Sequence, residues 1–231
     1  MNEQRIVTVD GPAGSGKSTL GRALAVELGL PLIDTGLFYR GIMVAVVRAA
    51  VDTTDPAALA DVAGRAVVEV DTDPLRPGDS VLVDGVASGP LLRDPRHAGL
   101  LATISSTPGV RAAVLQPQRS LATGGAVAVG RDCGTVVFPH AAVKFYLNAP
   151  QSVREQRRLV QLRAQGAPAD DTVMRAEVSE RDRADTDRAD SPLRAAEGAH
   201  VIDTAEMDVQ TMIAYALEVC HEAGLDPVGA A

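Results

Sequence analysis

The chain is predicted to fold as an α/β protein of three layers, a parallel sheet with helices on both faces. Two observations carry that expectation. Short apolar runs recur at residues 5–9, 126–129, 143–147 and 199–202, with a brief one at 31–33. Stretches with helical spacing stand between them, at 17–28, 110–121, 152–164 and 208–223. Strands that alternate with helices build parallel sheets, because each return crossing needs a helix. Composition agrees: 46% of the 231 residues are hydrophobic, enough for a sizeable core. Aromatics are only 3% and Trp is absent, so that core must be mostly Val, Leu, Ala and Ile.

The first strand runs into Gly11-Pro12-Ala13-Gly14-Ser15-Gly16-Lys17-Ser18, which fits the pattern G-x-x-x-x-G-K-[ST]. A helical stretch beginning with Thr19 and Leu20 follows at once, so strand, glycine loop and helix are in the order this motif requires. Glycines remove side chains, and successive backbone N–H groups can then wrap a polyphosphate at the positive end of a helix. Lys17 is expected to reach the β- and γ-phosphates, and the Ser18 hydroxyl to ligate Mg²⁺. The chain is therefore read as a P-loop protein that binds a nucleoside triphosphate.

Residues 38 to 107 break the strand–helix rhythm. A helix is expected over 38–50 and another over 55–64, behind a Pro at its first turn. Two β-rich runs follow at 67–70 and 81–83, separated by turn-forming residues. This segment reads as a hairpin-bearing insertion of residues 38–107. The core is then residues 1–37 and 108–225, with a lid at about 151–190 and a frayed tail at 226–231.

Three further clusters stand out, two on predicted loops and one on a pair of predicted helices. Asp34-Thr35-Gly36 with Tyr39 and Arg40 follows a short strand, at the sheet edge where open α/β folds bind ligands. Arg40 there can clamp a second phosphate, although a helix-capping Asp with a solvated Arg accounts for the same residues. Gly130-Arg131-Asp132-Cys133-Gly134 ends another strand on that edge. It reads as a phosphate-gripping Arg beside a substrate-binding carboxylate, or as a plain strand-end ion pair. Arg181, Asp185 and Arg188 share one helical face, as do Arg154, Arg157 and Arg158 on the preceding helix. Charged stripes are commonly solvated faces, but two of them beside a phosphate loop point to a closing lid.

What is lacking narrows the chemistry. The net charge of −8 argues against nucleic acid or a membrane surface as partner. His97, His140, His200 and His221 form no metal-binding pair, and Cys133 and Cys220 have neither zinc nor redox spacing. No apolar run approaches the ~18 residues that span a bilayer, and no signal-peptide pattern is present. A soluble, cytoplasmic monomer is expected. No nucleophile stands beside a base. A nucleoside monophosphate has a second pKa near ~6 and is already an anionic nucleophile, so phosphoryl transfer to it needs alignment more than a base.

With these motifs in this order, the chain resembles the bacterial cytidylate kinases of the nucleoside monophosphate kinase family. The likeness runs from Ile6 to about Tyr215. It rests on residues 10–19, on Asp34-Thr35-Gly36 with Tyr39-Arg40, on residues 130–139, and on Arg181-Asp182 with Asp185, Arg188, Pro192 and Leu193. It implies a P-loop NTPase fold with an inserted monophosphate-binding domain and a helical lid. It also implies ATP-dependent phosphorylation of CMP and dCMP with Mg²⁺. Residues 11–19 would hold ATP, Arg40 and Arg131 would grip the acceptor phosphate, and Thr35 would lie beside them. Arg111 would face the pyrimidine, Asp132 and Arg188 would read the base, and Arg181 and Asp185 would contact sugar and phosphates. Arg157 and Arg158 match lid arginines near the transferred group.

Three positions depart from the family. Thr35 stands where relatives usually carry Ser, and keeps the hydroxyl. Ala102 falls where a base-reading Ser is expected, which removes a hydrogen bond worth about 0.5–1.5 kcal/mol. Val129 occupies a position often acidic, which weakens metal support from that strand. Two other readings share these residues: a kinase for UMP or another small acceptor, and a nucleotide sensor without turnover.

Overall fold

A computed structural model describes residues 3–76, 80–164, 186 and 191–226. Five parallel strands form the main sheet in the order β2-β6-β1-β7-β8. They are β1 (Ile6–Asp10), β2 (Leu32–Asp34), β6 (Ala126–Gly130), β7 (Val143–Asn148) and β8 (His200–Asp203). A smaller antiparallel sheet holds β3 (Val68–Val70), β4 (Val81–Val83) and β5 (Val86–Ala87). The helices are α1 (Lys17–Leu28), α2 (Thr35–Ala49), α3 (Pro56–Arg65), α4 (Ala98–Ser106), α5 (Pro108–Ser120), α6 (Gln151–Ala164) and α7 (Val209–Glu222).

Alternation along the central strands creates two cores. Val7 and Val9 of β1, with Val127 and Val129 of β6, pack against Leu20, Leu24 and Leu28 of α1 and Met212 and Ala216 of α7. Ile6, Ala126 and Ala128 face the other way, onto a cluster shared with α2, α3, α4 and α5. A period of two puts neighbours on opposite faces, so helices must cover both sides of this sheet. The predicted three layers are what the chain forms. Leu20, Leu24 and Leu28 are fully buried, and each contributes about 1.5–3 kcal/mol by leaving water. Leu24→Ala, which opens a cavity there, costs about 2–5 kcal/mol.

The second core is continuous between the main sheet and the segment joining α2 to α5. Leu59, Val81 and Val83 belong to the same cluster as Ile6 and Ile33. Leu32 N–H donates to Thr72 O at 2.8 Å, so the loop after β3 covers the edge of β2. Arg22 fastens that loop to α1, donating through Nη1 to the carbonyls of Pro74 and Arg76.

Element boundaries differ from expectation where caps decide them. Helix α2 starts at Thr35 rather than residue 38, because the Asp34 carboxylate accepts from Gly36 N–H at 2.9 Å. Strand β5 and helix α4 were not predicted. Their sequences are too short and too uniformly apolar for a clear period. A π-helical turn at Cys133–Val137 after β6 was also unforeseen. Among the described residues no single helix is long and apolar enough to cross a membrane.

Candidate active site

Parallel strands bring their C-terminal ends to one edge of the sheet. On β1 and β6 these ends are paired in register, Asp10 opposite Gly130. The loop after Asp10 and the turn after Gly130 therefore leave the sheet side by side. The glycine loop and the Arg131-Asp132 pair, distant in sequence, become neighbours through that register.

One half of this edge is the glycine loop of residues 11–16 with the start of α1. Helices α2, α3 and α7 each have an Asp side chain accepting from their first amides. Helix α1 instead begins at Gly16, whose left-handed backbone carries no side-chain cap. Among the described residues no side chain caps its leading N–H groups, as an anion site requires. Lys17 is buried, and its ammonium donates to Pro12 O at 2.6 Å across the loop. Ser18 and Thr19 are exposed on the first turn. The Ser18 hydroxyl, beside a phosphate cradle, fits a hard cation that takes most of its oxygens from phosphate and water. Among the described residues no three His, Cys, Asp or Glu side chains form a metal cluster.

Asp10, in the sequence no more than the head of the glycine-loop motif, has a part that sequence reasoning did not assign. Its carboxylate is buried and accepts from Cys133 N–H at 2.8 Å and Gly134 N–H at 2.7 Å. Those bonds hold the π-helical turn against β1. Burial pushes the Asp10 acid up to about 6; the two amide bonds oppose this and the nearby Asp132 charge adds to it. The one sequence signal was an acidic residue ending a strand whose other residues, Thr8 apart, are apolar. On the far side of the turn, Arg119 donates to the carbonyls of Val136 and Val137.

The other half of the edge is built on that turn. Arg111 of α5 and Asp132 form a buried ion pair, and Arg111 also donates to Ser105 O at 3.1 Å. Tyr39 lies under the same guanidinium, 5.5 Å from ring centre to its carbon. Arg131 is half-buried beside them. Arg40 donates to Leu92 O at 2.9 Å, at the inner wall of the segment that carries the small sheet. Thr35 is buried, and its hydroxyl donates to Val129 O at 3.0 Å. That bond ties the ends of β2 and β6 together. Ala102 lies on α4, one turn before Ser105, and accepts from the Ser105 and Ser106 hydroxyls.

Of the expected lid residues, Arg157 is described: it donates to Thr204 Oγ1 at 2.8 Å and Thr204 O at 2.6 Å. The Arg158 side chain and residues Arg181, Asp182, Asp185 and Arg188 lie outside the described residues. Cys133 and Cys220 are both buried free thiols. Burial raises Cys133 well above the usual thiol range and Cys220 to about 12, so neither is a nucleophile.

The family model described as cytidylate kinase matches residues 7–222. The chain belongs to the cytidylate kinase family. Its family relatives include a cytidylate kinase of Rhodococcus opacus (strain B4), 41% identical over 219 residues, 94% of this chain and 95% of that one. A cytidylate kinase of Symbiobacterium thermophilum is 38% identical over 94% of this chain and 96% of its own length. One from Pseudomonas aeruginosa (strain LESB58) is 36% identical over 96% and 97%. Cytidylate kinase likeness thus extends through the glycine loop, the small-sheet segment and the turn at Arg131.

Proposed function

We propose that the chain transfers the γ-phosphoryl group of ATP to CMP and dCMP, giving ADP with CDP or dCDP. The observation that supports this most is the β1–β6 register, which sets a phosphate loop beside an arginine-bearing turn. A donor on one and an acceptor on the other meet end to end above the sheet edge. Family membership favours this reading over a sensor without turnover, and over a kinase for another acceptor.

In the proposed reaction an oxygen of the acceptor phosphate attacks the γ-phosphorus in line. The bond from that phosphorus to the β-bridging oxygen breaks, and the electron pair leaves on ADP. The acceptor is already anionic, so no side chain need take a proton; the work is alignment and charge neutralisation. Residues 11–19 wrap the donor phosphates, and Lys17 leaves Pro12 O to follow the moving charge. Mg²⁺ held through Ser18 would neutralise the phosphate oxygens. Arg40 and Arg131 grip the acceptor phosphate beside Thr35. Arg111, Asp132 and Arg188 read the base, with Tyr39 supporting Arg111. Arg157, Arg158, Arg181 and Asp185 belong to a lid that excludes water on closing.

The proposal includes the division into a core of residues 1–37 and 108–225 and an acceptor-binding insertion of residues 38–107. It also takes the enzyme to be a cytoplasmic monomer acting on small nucleotides. Incubation with ATP, Mg²⁺ and CMP, followed by separation of the nucleotides, tests the central step. CDP and ADP should appear in equal amounts. ADP formed without CDP would reject transfer to CMP.

A further inference from the structure

Arg154 sits in the first turn of α6 and has no assigned part in the reaction. It is 7% exposed, so its guanidinium has been taken out of water for a reason. Its Nε donates to Ala149 O at 3.0 Å, and its Nη1 donates to Ala13 O at 3.2 Å. Ala13 is in the middle of the glycine loop. The helix backbone closes on the next residue as well. A Cβ placed on Gly14 would stand 2.7 Å from Arg154 O, and Gly14 has φ of +74°. Only glycine meets both conditions.

A second tether acts two peptides further along. Arg157, one helical turn after Arg154, holds Thr204, and the Thr204 hydroxyl lies 3.1 Å from Ser15 O as its donor. The loop carbonyls of Ala13 and Ser15 are thus gripped from outside by α6 and by the turn after β8. A planar trans peptide points its C=O and N–H in opposite directions. Fixing Ala13 O on Arg154 therefore turns the Gly14 N–H towards the cradle, and fixing Ser15 O does the same for Gly16.

We propose that Arg154 is a positioning residue for the ATP loop, holding the Ala13–Gly14 peptide in its anion-binding orientation before the nucleotide arrives. The proposal rests on the reading of residues 11–19 as the ATP site. A loop set in advance spares the nucleotide the cost of ordering it. A merely structural arginine would instead lower stability and treat both substrates alike.

Calorimetric titration with a non-hydrolysable ATP analogue and, separately, with CMP distinguishes the two. Arg154→Gln should weaken the analogue about tenfold, the worth of one charge-assisted hydrogen bond, and change CMP binding less than about twofold. Arg154→Lys should recover part of the loss, since an ammonium reaches one carbonyl but lacks the guanidinium fork. Thr204→Val, which keeps shape and removes the hydroxyl, should weaken the analogue about threefold. It carries the test if Arg154→Gln does not fold. Unchanged analogue affinity in Arg154→Lys and Thr204→Val, or equal losses for analogue and CMP, would overturn the proposal. Analogue binding without CMP turnover in the unmodified protein would overturn the acceptor assignment instead, leaving Arg154 to be judged by the binding data.

Discussion

Arg111 and Asp132 meet in an ion pair whose side chains keep only 7% and 6% of their exposure. Attraction between buried charges barely repays their desolvation, whereas an orphaned partner is costly. Arg111→Met leaves Asp132 charged and buried, and should cost about 3–5 kcal/mol in urea unfolding. Adding Asp132→Leu should restore most of that stability while CMP preference stays lost. Simple additivity of the two losses would show that the pair is not coupled.

Lys17 rests on Pro12 O, a contact that it gives up in the proposed transfer. Lys17→Ala should lower kcat on the order of 10³-fold, as loss of a preorganised charge clamp does. Stability should fall far less than turnover, because Pro12 O keeps the Ser15 N–H as a donor. Near-normal turnover in a rapid-quench measurement would contradict the role.

Asp10 binds its proton more tightly when folded, moving from an ordinary 3.8 to about 6. Such a group favours the fold at low pH, and that stability is lost as pH rises from about 4 through about 6. The shift corresponds to about 3 kcal/mol. The unmodified protein should therefore lose ground to Asp10→Asn as pH climbs from 4 to 7. At neutral pH the variant should still turn over more slowly, since its amide accepts from only one of Cys133 and Gly134. A stability difference that stays constant with pH would place the titration elsewhere.

Gly130 stands where any side chain collides. A Cβ there would fall on the Thr35 hydroxyl and 2.6 Å from Cys133 Sγ. Gly130→Ala should shift the turn carrying Arg131 and Asp132, raising KM for CMP about tenfold or more while KM for ATP moves little. Equal changes in both constants would show that the turn does not serve the acceptor alone.

The glycine loop was legible because its chemistry is local: Gly16, Lys17 and Ser18 are adjacent, and strand and helix flank them. The three layers were legible from period alone. Asp10 was not, because its partners Cys133 and Gly134 lie 123 and 124 residues away and its carboxylate meets only backbone. The π-helical turn escaped for the same reason, since Asp10 from one side and Arg119 from the other hold it. Thr35 was expected beside an acceptor phosphate, but the pairing of its hydroxyl with Val129 O depends on β2 and β6 lying side by side. In the sequence Arg154 is one member of a charged stripe. Its contact with Ala13 follows from packing that no spacing rule encodes.

The central claim is that this edge of the sheet joins a triphosphate donor to a cytidine monophosphate. Steady-state kcat/KM for CMP, dCMP, UMP, AMP and GMP with saturating ATP tests it most directly. The account predicts CMP and dCMP well ahead of both purine nucleotides, with UMP behind them. AMP or GMP used as efficiently as CMP would contradict it.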